Sequence, residues 1–488
     1  VSGTTRSPWL ALYALCAGVL MIVLDVTVVN VALPSIGSDL HFSPTGLAWV
    51  VNAYLIPFAG LLLLAGRLGD LMGRRAVVLS GLGLFTGASV ACGLAQNEVM
   101  LVTARAAQGA GGAMTSAVVL GMIVGLFPDP HDQARAMGVY GFVASAGGAI
   151  GLLAGGVLTQ AINWHWIFFV NVPIGAATAW AISQLIPGDR GSGWRAGADV
   201  LGAVVVTAAL MAAVYTFVGP AASKGWASGT TITWAASAVV LLAAFLVREA
   251  TARTPLVPLR LLTTRNLATA NVLQTLTAAG MFGTFFLGSL YLQQVLHYDP
   301  LQIGLAFLPN TVVMSVLSLR GAGWIARRFG ARPPLVVGAA LVAVGLLLLS
   351  RVAADGHYLA DVLPAMLLIG VGMGIFFPPL MSVSMADATA DTAGLASGVV
   401  NATGQAGGAL GLAVLASVAA ARTAGAVGHG QPRSEALTGG FRLAFLVAAG
   451  LMLVAVAVAA TVRQRRTPVF SGADADAADG DLLAYAGG

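Results

Sequence analysis

The sequence predicts an all-α polytopic membrane protein, and two observations carry that expectation. Apolar residues make up 58% of the 488 residues and charged residues only 9%, where a soluble domain carries roughly 25% charged residues. The apolar residues also gather into runs of about 20, the length that crosses a bilayer as helix. A soluble fold of this size could not cover its surface with so few charges. Lipid-facing positions, by contrast, must be apolar.

Fourteen such runs can be read along the chain. They span 9–33, 47–65, 76–95, 99–126, 135–159, 166–186, 198–218, 231–247, 267–296, 302–320, 334–350, 359–381, 394–420 and 441–462. The first run resembles a secretory leader over Trp9 to Leu24, but it continues past Asp25 to Pro34 and is read as a span. With the N-terminus inside, eighteen basic residues fall on cytoplasmic segments and five on outer ones. That bias places both ends in the cytoplasm. It also accounts for the net charge of +5 without a nucleic-acid patch, which would need basic residues clustered among aromatics. Lys224 is the only lysine, a bias that fits a GC-rich bacterial genome and hence the bacterial cytoplasmic (inner) membrane.

An internal repeat divides the chain. Residues 136–152 (AMGVYGFVASAGGAIGL) match 396–412 (ASGVVNATGQAGGALGL) at nine of seventeen positions. A weaker echo pairs GRLGDLMGRR at 66–75 with GWIARRFGAR at 323–332. The expected organisation is a six-helix half over 1–190, two inserted helices over 191–260 and a second six-helix half over 261–466. A disordered tail follows over 467–488, where Asp474, Asp476, Asp479 and Asp481 lie among Ala and Gly. Related halves around a midplane site are a transporter architecture.

Asp25 and Arg105 are the charges that matter most. A carboxylate in hydrocarbon costs about 2.5–3.5 kcal/mol, and burial favours its protonated form, so Asp25 is a candidate proton site. At 1.5 Å per residue Arg105 lies about 10 Å from the end of its run and Asp25 about 13 Å from the end of its own. The two can therefore share one level and attract each other, and protonating Asp25 would free the first span to move. A binding cavity is expected from the uncharged polar residues Asn52, Tyr54, Gln108, Gln274, Asn401 and Gln405, with Phe282, Phe285 and Phe286 as aromatic wall.

Five strings follow one another on successive spans: LDVTVVNVALP at 24–34, GRLGDLMGRR at 66–75, RAAQGAGGA at 105–113, GGAIGLLAGG at 147–156 and WHWIFFVNVPIG at 164–175. In this order they resemble the major facilitator superfamily, specifically its fourteen-span drug:proton antiporter group. The resemblance implies a major facilitator fold, alternating access and proton-driven efflux of hydrophobic or cationic drugs or antibiotics. It also implies a proton-transfer role for Arg105. Gly66, Arg67, Gly69, Asp70, Gly73, Arg74 and Arg75 would form a gating loop, and Gly147, Gly148, Gly151, Gly155 and Gly156 an antiporter helix-packing motif. The chain departs from the family pattern at Leu152, where Pro is usual and a kink is lost, at Arg327, where Asp is usual, and at Gly404, often Arg.

Enzyme chemistry is not expected. The six histidines are scattered, and no HExxH, CxxC or phosphate-binding GxxxxGK[ST] occurs, so no ATP, cofactor or metal is expected, and protons alone would couple transport. The expected partners are the lipid bilayer and a small amphipathic or cationic solute, with the chain working as a monomer. Alternatives are a proton symporter or facilitator on the same fold, or a polytopic membrane enzyme.

Overall fold

The computed structural model describes residues 7–43, 45–189, 191, 193, 197–221, 224–257, 260, 264–318, 328–386 and 393–462. Among them the regular structure is helical. The expected tail at 467–488 lies outside the described residues, as do Arg6, Arg190, Arg195, Arg320, Arg327, Arg463, Arg465 and Arg466.

In chain order the helices are α1 (Pro8–Asp39), α2 (Ala48–Met72), α3 (Arg74–Gly93), α4 (Glu98–Leu126), α5 (Pro130–Ala161), α6 (Trp166–Phe169) and α7 (Asn171–Leu185). Then come α8 (Val200–Thr216), α9 (Gly229–Thr251), α10 (Arg265–Gln294), α11 (Pro300–Val316), α12 (Arg332–Leu349), α13 (Leu363–Met385), α14 (Ala393–Gly428) and α15 (Arg433–Ala460). Thirteen helical stretches are long and apolar enough to cross a membrane, counting Trp166–Leu185 as one. The fourteenth, α11, is a shorter apolar helix in its described part.

Prolines leave open carbonyls in several helices. The sixth span is broken at Val170 into α6 and α7. Pro173 has no N–H with which to bond the Phe169 carbonyl. The first span, expected to end at 33, runs on through Pro34 to Asp39. Pro34 leaves the Asn30 carbonyl without its usual partner four residues on, and the Ser289 hydroxyl of α10 donates to that oxygen at 2.8 Å. Pro378 in α13 does the same to the Gly374 carbonyl, which the Ser318 hydroxyl reaches at 3.5 Å. A buried carbonyl has to be satisfied somewhere, and here a neighbouring helix supplies the donor.

The helices pack as two bundles with a seam between them. On one side α4 packs on α2 and α3, while α1 packs on α5 and α7. On the other, α10 packs on α14, α15 and α13, and α12 packs on α13 and α15. Across the seam α2 meets α14, α5 meets α11 and α1 meets α10. Outside this body, α8 lies against α2 and α14, and α9 packs mainly on α8.

Small residues set the helix spacing. On α5, a Cβ at Gly147 would lie 3.0 Å from Leu20 and Val23, and one at Gly155 3.0 Å from Val28, so these positions face α1. One at Gly156 would lie 2.8 Å from Leu301, on α11. Gly151 faces Thr27 of α1. Leu152 is buried, and its carbonyl is met by Gly304 of α11. The helix continues through it without a break. The repeat partners Gly407 and Gly411 on α14 abut Thr275 and Ala279 of α10 in the same manner.

Gly109 and Gly125 of α4 give a paired test of this packing. A Cβ at Gly109 would lie 3.0 Å from the Tyr54 Cα and closer to its carbonyl, whereas Gly125 has open space. Gly109→Ala is expected to lower stability by about 1–3 kcal/mol through overpacking. Gly125→Ala should be neutral or slightly stabilising. Thermal unfolding of both variants in detergent checks this, and equal midpoints would contradict it.

Candidate functional site: a buried ion pair behind a substrate-sized cavity

α1 has two faces with different chemistry. Asp25 points into the first bundle and is 1% exposed, as is Arg105 on α4. Arg105 Nη1 donates to Asp25 Oδ2 at 2.5 Å. Oδ1 of the same carboxylate accepts from Gln108 Nε2 at 2.7 Å and from Asn171 Nδ2 at 3.0 Å. Gln108 also accepts from Arg105 at 2.7 Å and donates to the Ser89 hydroxyl at 2.8 Å. Arg105 Nε donates to the Val50 carbonyl at 2.9 Å, and its guanidinium lies 4.5 Å over the Tyr54 ring.

Five helices converge here: α1, α2, α3, α4 and α7. Their contributions follow from local structure. Arg105 and Gln108 are three residues apart on α4, hence neighbours on one face. Gly109, Gly111 and Gly112 bring α4 close to α2 and α3, which lets the long guanidinium reach past them. Asn171 opens α7, where the break before it turns its side chain inward to the carboxylate.

Arg105, Gln108 and Asn171 all donate to the two Asp25 oxygens, and a carboxylate accepts at both. A proton on Asp25 would deprive Arg105 of its counter-charge and turn one acceptor oxygen into a donor. Protonation therefore requires the network to rearrange.

The cavity lies on the opposite side of α1. About 300 Å³ of space is lined by Val23, Val26, Thr27 and Asn30 of α1, by Gly148 and Leu152 of α5, and by residues of α10, α11 and α13. Of the expected cavity residues, Gln274, Phe282 and Phe285 line it. The rest do not. Gln108 belongs to the Asp25 network, and Tyr54 lies beneath Arg105. Asn52 is wholly buried on α2 with both amide atoms unpartnered. Asn401 is exposed and Gln405 half-buried, both away from the lining, and Phe286 is buried. The sequence marks polar residues inside spans, but which side of a helix meets the seam depends on how the bundles pack. Thr277, Asn310, Met281, Met314 and Met373 also line the cavity; hydroxyl and thioether side chains are ordinary in packed helices, and nothing local sets Asn310 apart from the other amides inside spans. Gly404 sits against Gln274, so an arginine there would displace that amide.

The loop motif forms a tight turn between α2 and α3. Gly73 adopts φ 99° and packs on Asp189, a conformation that favours glycine. The Asp189 carboxylate accepts from the backbone N–H groups of Arg74 and Arg75, at 2.6 and 3.0 Å, and so caps α3. Arg74 pairs with Asp70 at 3.7 Å and donates to the Gly121 carbonyl near the end of α4. Arg75 donates to the Ser183 carbonyl at the end of α7, and Arg67 to the Gly197 carbonyl. Gly66 and Gly69 face Ala117 and Val118 of α4.

A second charged cluster escaped sequence reasoning. Asp199 caps α8 and receives Arg248 of α9 on both oxygens at 3.1 Å. Beside it, buried Glu249 accepts from the Val257 N–H at 2.9 Å. Among the described residues no group of metal-binding side chains is assembled.

Helical bundles that enclose a cavity at their seam, with a buried charge pair beside it, define a polytopic membrane transporter. The chain belongs to the Major Facilitator Superfamily, whose family model matches residues 15–412. It is 37% identical to the puromycin resistance protein of Streptomyces alboniger, over 94% of this chain and 92% of that protein. It is 38% identical to the cephamycin export protein of Amycolatopsis lactamdurans, over 86% and 87%. It is 35% identical to the tetracenomycin C resistance and export protein of Streptomyces glaucescens, over 86% and 78%. Among solved structures, a bacterial homologue of the human lysosomal transporter Spinster, in an inward-facing and unoccupied conformation, shares the fold. Its TM-score is 0.65 at 16% identity, covering 94% of this chain and 97% of that one.

Removing one member of a buried ion pair strands the other and costs about 3–5 kcal/mol. Arg105→Ala is expected to lose about that much, measured by thermal unfolding in detergent. Asp25→Asn removes the charge and sets an amide donor against donors, so it should lose a comparable amount. The double variant Asp25→Asn/Arg105→Met, with no charge left, should recover most of the Arg105→Ala loss. Additive losses in the double variant would contradict the pairing.

Proposed function

We propose that this chain exports small drug-like organic molecules, antibiotics among them, in exchange for protons. It would sit in a bacterial cytoplasmic membrane with both termini inside. The observation that carries the reading is the placement of α1. One face holds the Asp25–Arg105 pair and the other lines the cavity, so a charge change on one face is felt on the other through a single helix.

In the proposed cycle a proton neutralises Asp25, the attraction of Arg105 for α1 weakens, and α1 shifts against α5 and α10. That shift reshapes the cavity wall at Val23, Val26, Thr27 and Asn30. Losing the proton restores the carboxylate and its three donors. A proton crossing a potential of 100 mV releases about 2.3 kcal/mol, comparable with weakening one buried charge contact. The turn at Gly73, tied to α4 and α7 by Arg74 and Arg75, acts as the gate of the first bundle. The kinship with a puromycin resistance protein, a cephamycin export protein and a tetracenomycin C resistance and export protein supports a drug-like substrate. No ATP or other cofactor is needed, and the cavity lies within one chain, which supports a functional monomer.

Everted vesicles energised by respiration test the reading with ethidium and puromycin as probes. Wild-type protein should accumulate at least one of them, and only with a proton gradient intact. Asp25→Asn should reduce accumulation per folded protein to the background of empty vesicles. Equal accumulation by wild type and Asp25→Asn, or accumulation that persists with an uncoupler, would sink the proton-exchange reading.

A further inference from the structure

The cavity differs chemically from the buried pair behind it. Among the described residues that line it none is ionisable. Asp25 and Arg105 spend their charges on each other and on three neighbouring helices. A cation entering the cavity would leave water with no counter-charge to meet, at a cost of several kcal/mol. The walls are instead rich in Phe282, Phe285 and Met281, surfaces suited to a flat apolar ring.

The polar groups of the lining fall into two sets. Thr27, Asn30 and Thr311 are satisfied on their own helices: they donate to the carbonyls of Val23 at 2.9 Å, Val26 at 2.9 Å and Phe307 at 3.4 Å. Gln274 Oε1, Thr277 Oγ1 and Asn310 Oδ1 are buried and have no partner. Thr277 is 3% exposed and Asn310 2%. Thr277 follows Gln274 by three residues on α10, on one face, and Asn310 lines the same cavity from α11, its Oδ1 near Gly370 of α13. A buried polar atom without a partner costs about 1–3 kcal/mol, and a native structure that retains several in one cavity has a use for them. All three are oxygens that can accept a hydrogen bond.

We propose that the transported solute is an uncharged ring compound bearing hydrogen-bond donors, hydroxyl or primary amide, which Thr277, Asn310 and Gln274 accept, and that permanent cations are disfavoured. This narrows the drug-export reading above and rests on it for the identity of the site. It runs against the expectation of cationic substrates. The charge moved in each cycle is then that of the proton alone.

Equilibrium binding to the purified full chain tests this apart from transport. Three fluorescent probes are compared: a hydroxycoumarin kept neutral by mildly acidic pH, its methoxy analogue without a donor, and a trimethylammonium derivative. The hydroxycoumarin is expected to bind about tenfold more tightly than either, the size of one unmade buried hydrogen bond. Asn310→Leu and Thr277→Val should each bring the hydroxy-to-methoxy ratio towards one. Two variants on different helices guard against a misfolded one, and a misfolded protein would lose binding of both probes rather than their ratio. Equal or tighter binding of the trimethylammonium probe, an unchanged ratio in both variants, or no saturable binding of any probe overturns the inference. Binding as expected beside the absence of proton-driven flux in vesicles would overturn the export reading instead.

Discussion

The Asp25–Arg105 ion pair is the constraint around which the first bundle is arranged. Two charges removed from water are tolerated only where each finds an opposite charge and further hydrogen bonds. Meeting that requirement takes the Val50 carbonyl from α2, Ser89 from α3, Gln108 from α4 and Asn171 from α7. Each is a fixed point on a different helix. The glycines of α4 are the other half of the arrangement: a Cβ at Gly111 would lie 2.6 Å from the Phe85 backbone N, so larger residues would push α3 out of reach. Charge and small residues are thus one device, and loss of either would loosen the other.

From that fixed core the chemistry passes to the seam through α1. Its inner face belongs to the charge network and its outer face to the cavity, and the α5 glycines Gly147, Gly151 and Gly155 hold α5 directly against it. Ser289 of α10 donates to the α1 carbonyl that Pro34 leaves open. A helix under strong charge restraint on one side and light restraint on the other is well placed to respond when the charge changes, and the proposed cycle uses that asymmetry.

The inserted helices sit apart from this logic. α8 packs on α2 and α14, the pair that meets across the seam, while α9 leans on α8. Their base is tied by Asp199 and Arg248, and Glu249 holds the chain as it leaves α9 towards α10. Val257, the residue Glu249 holds, packs with Leu64 of α2 and Val399 of α14. The insertion therefore buttresses the seam from outside and contributes nothing to the described lining of the cavity.

The sequence by itself determined the membrane class, because composition and run length are properties of the chain alone. It also brought out Asp25 and Arg105, since a charge inside a long apolar run stands out wherever the helix ends up, and depth along two helices could be counted. The family resemblance of its motifs marked the turn at Gly73 and the glycines of α5. Tertiary structure alone decided which polar residues face what. Gln108 and Tyr54 serve the ion pair rather than the cavity, and Asn401 is exposed, because rotation of each helix about its axis is set by its neighbours. The roles of Thr277 and Asn310 were hidden for the same reason. Their chemistry is ordinary in a packed helix and becomes distinctive only where packing leaves their oxygens without a partner beside an open space. The capping of α3 by Asp189, more than a hundred residues away, likewise depends on a meeting of chain segments that local pattern does not encode.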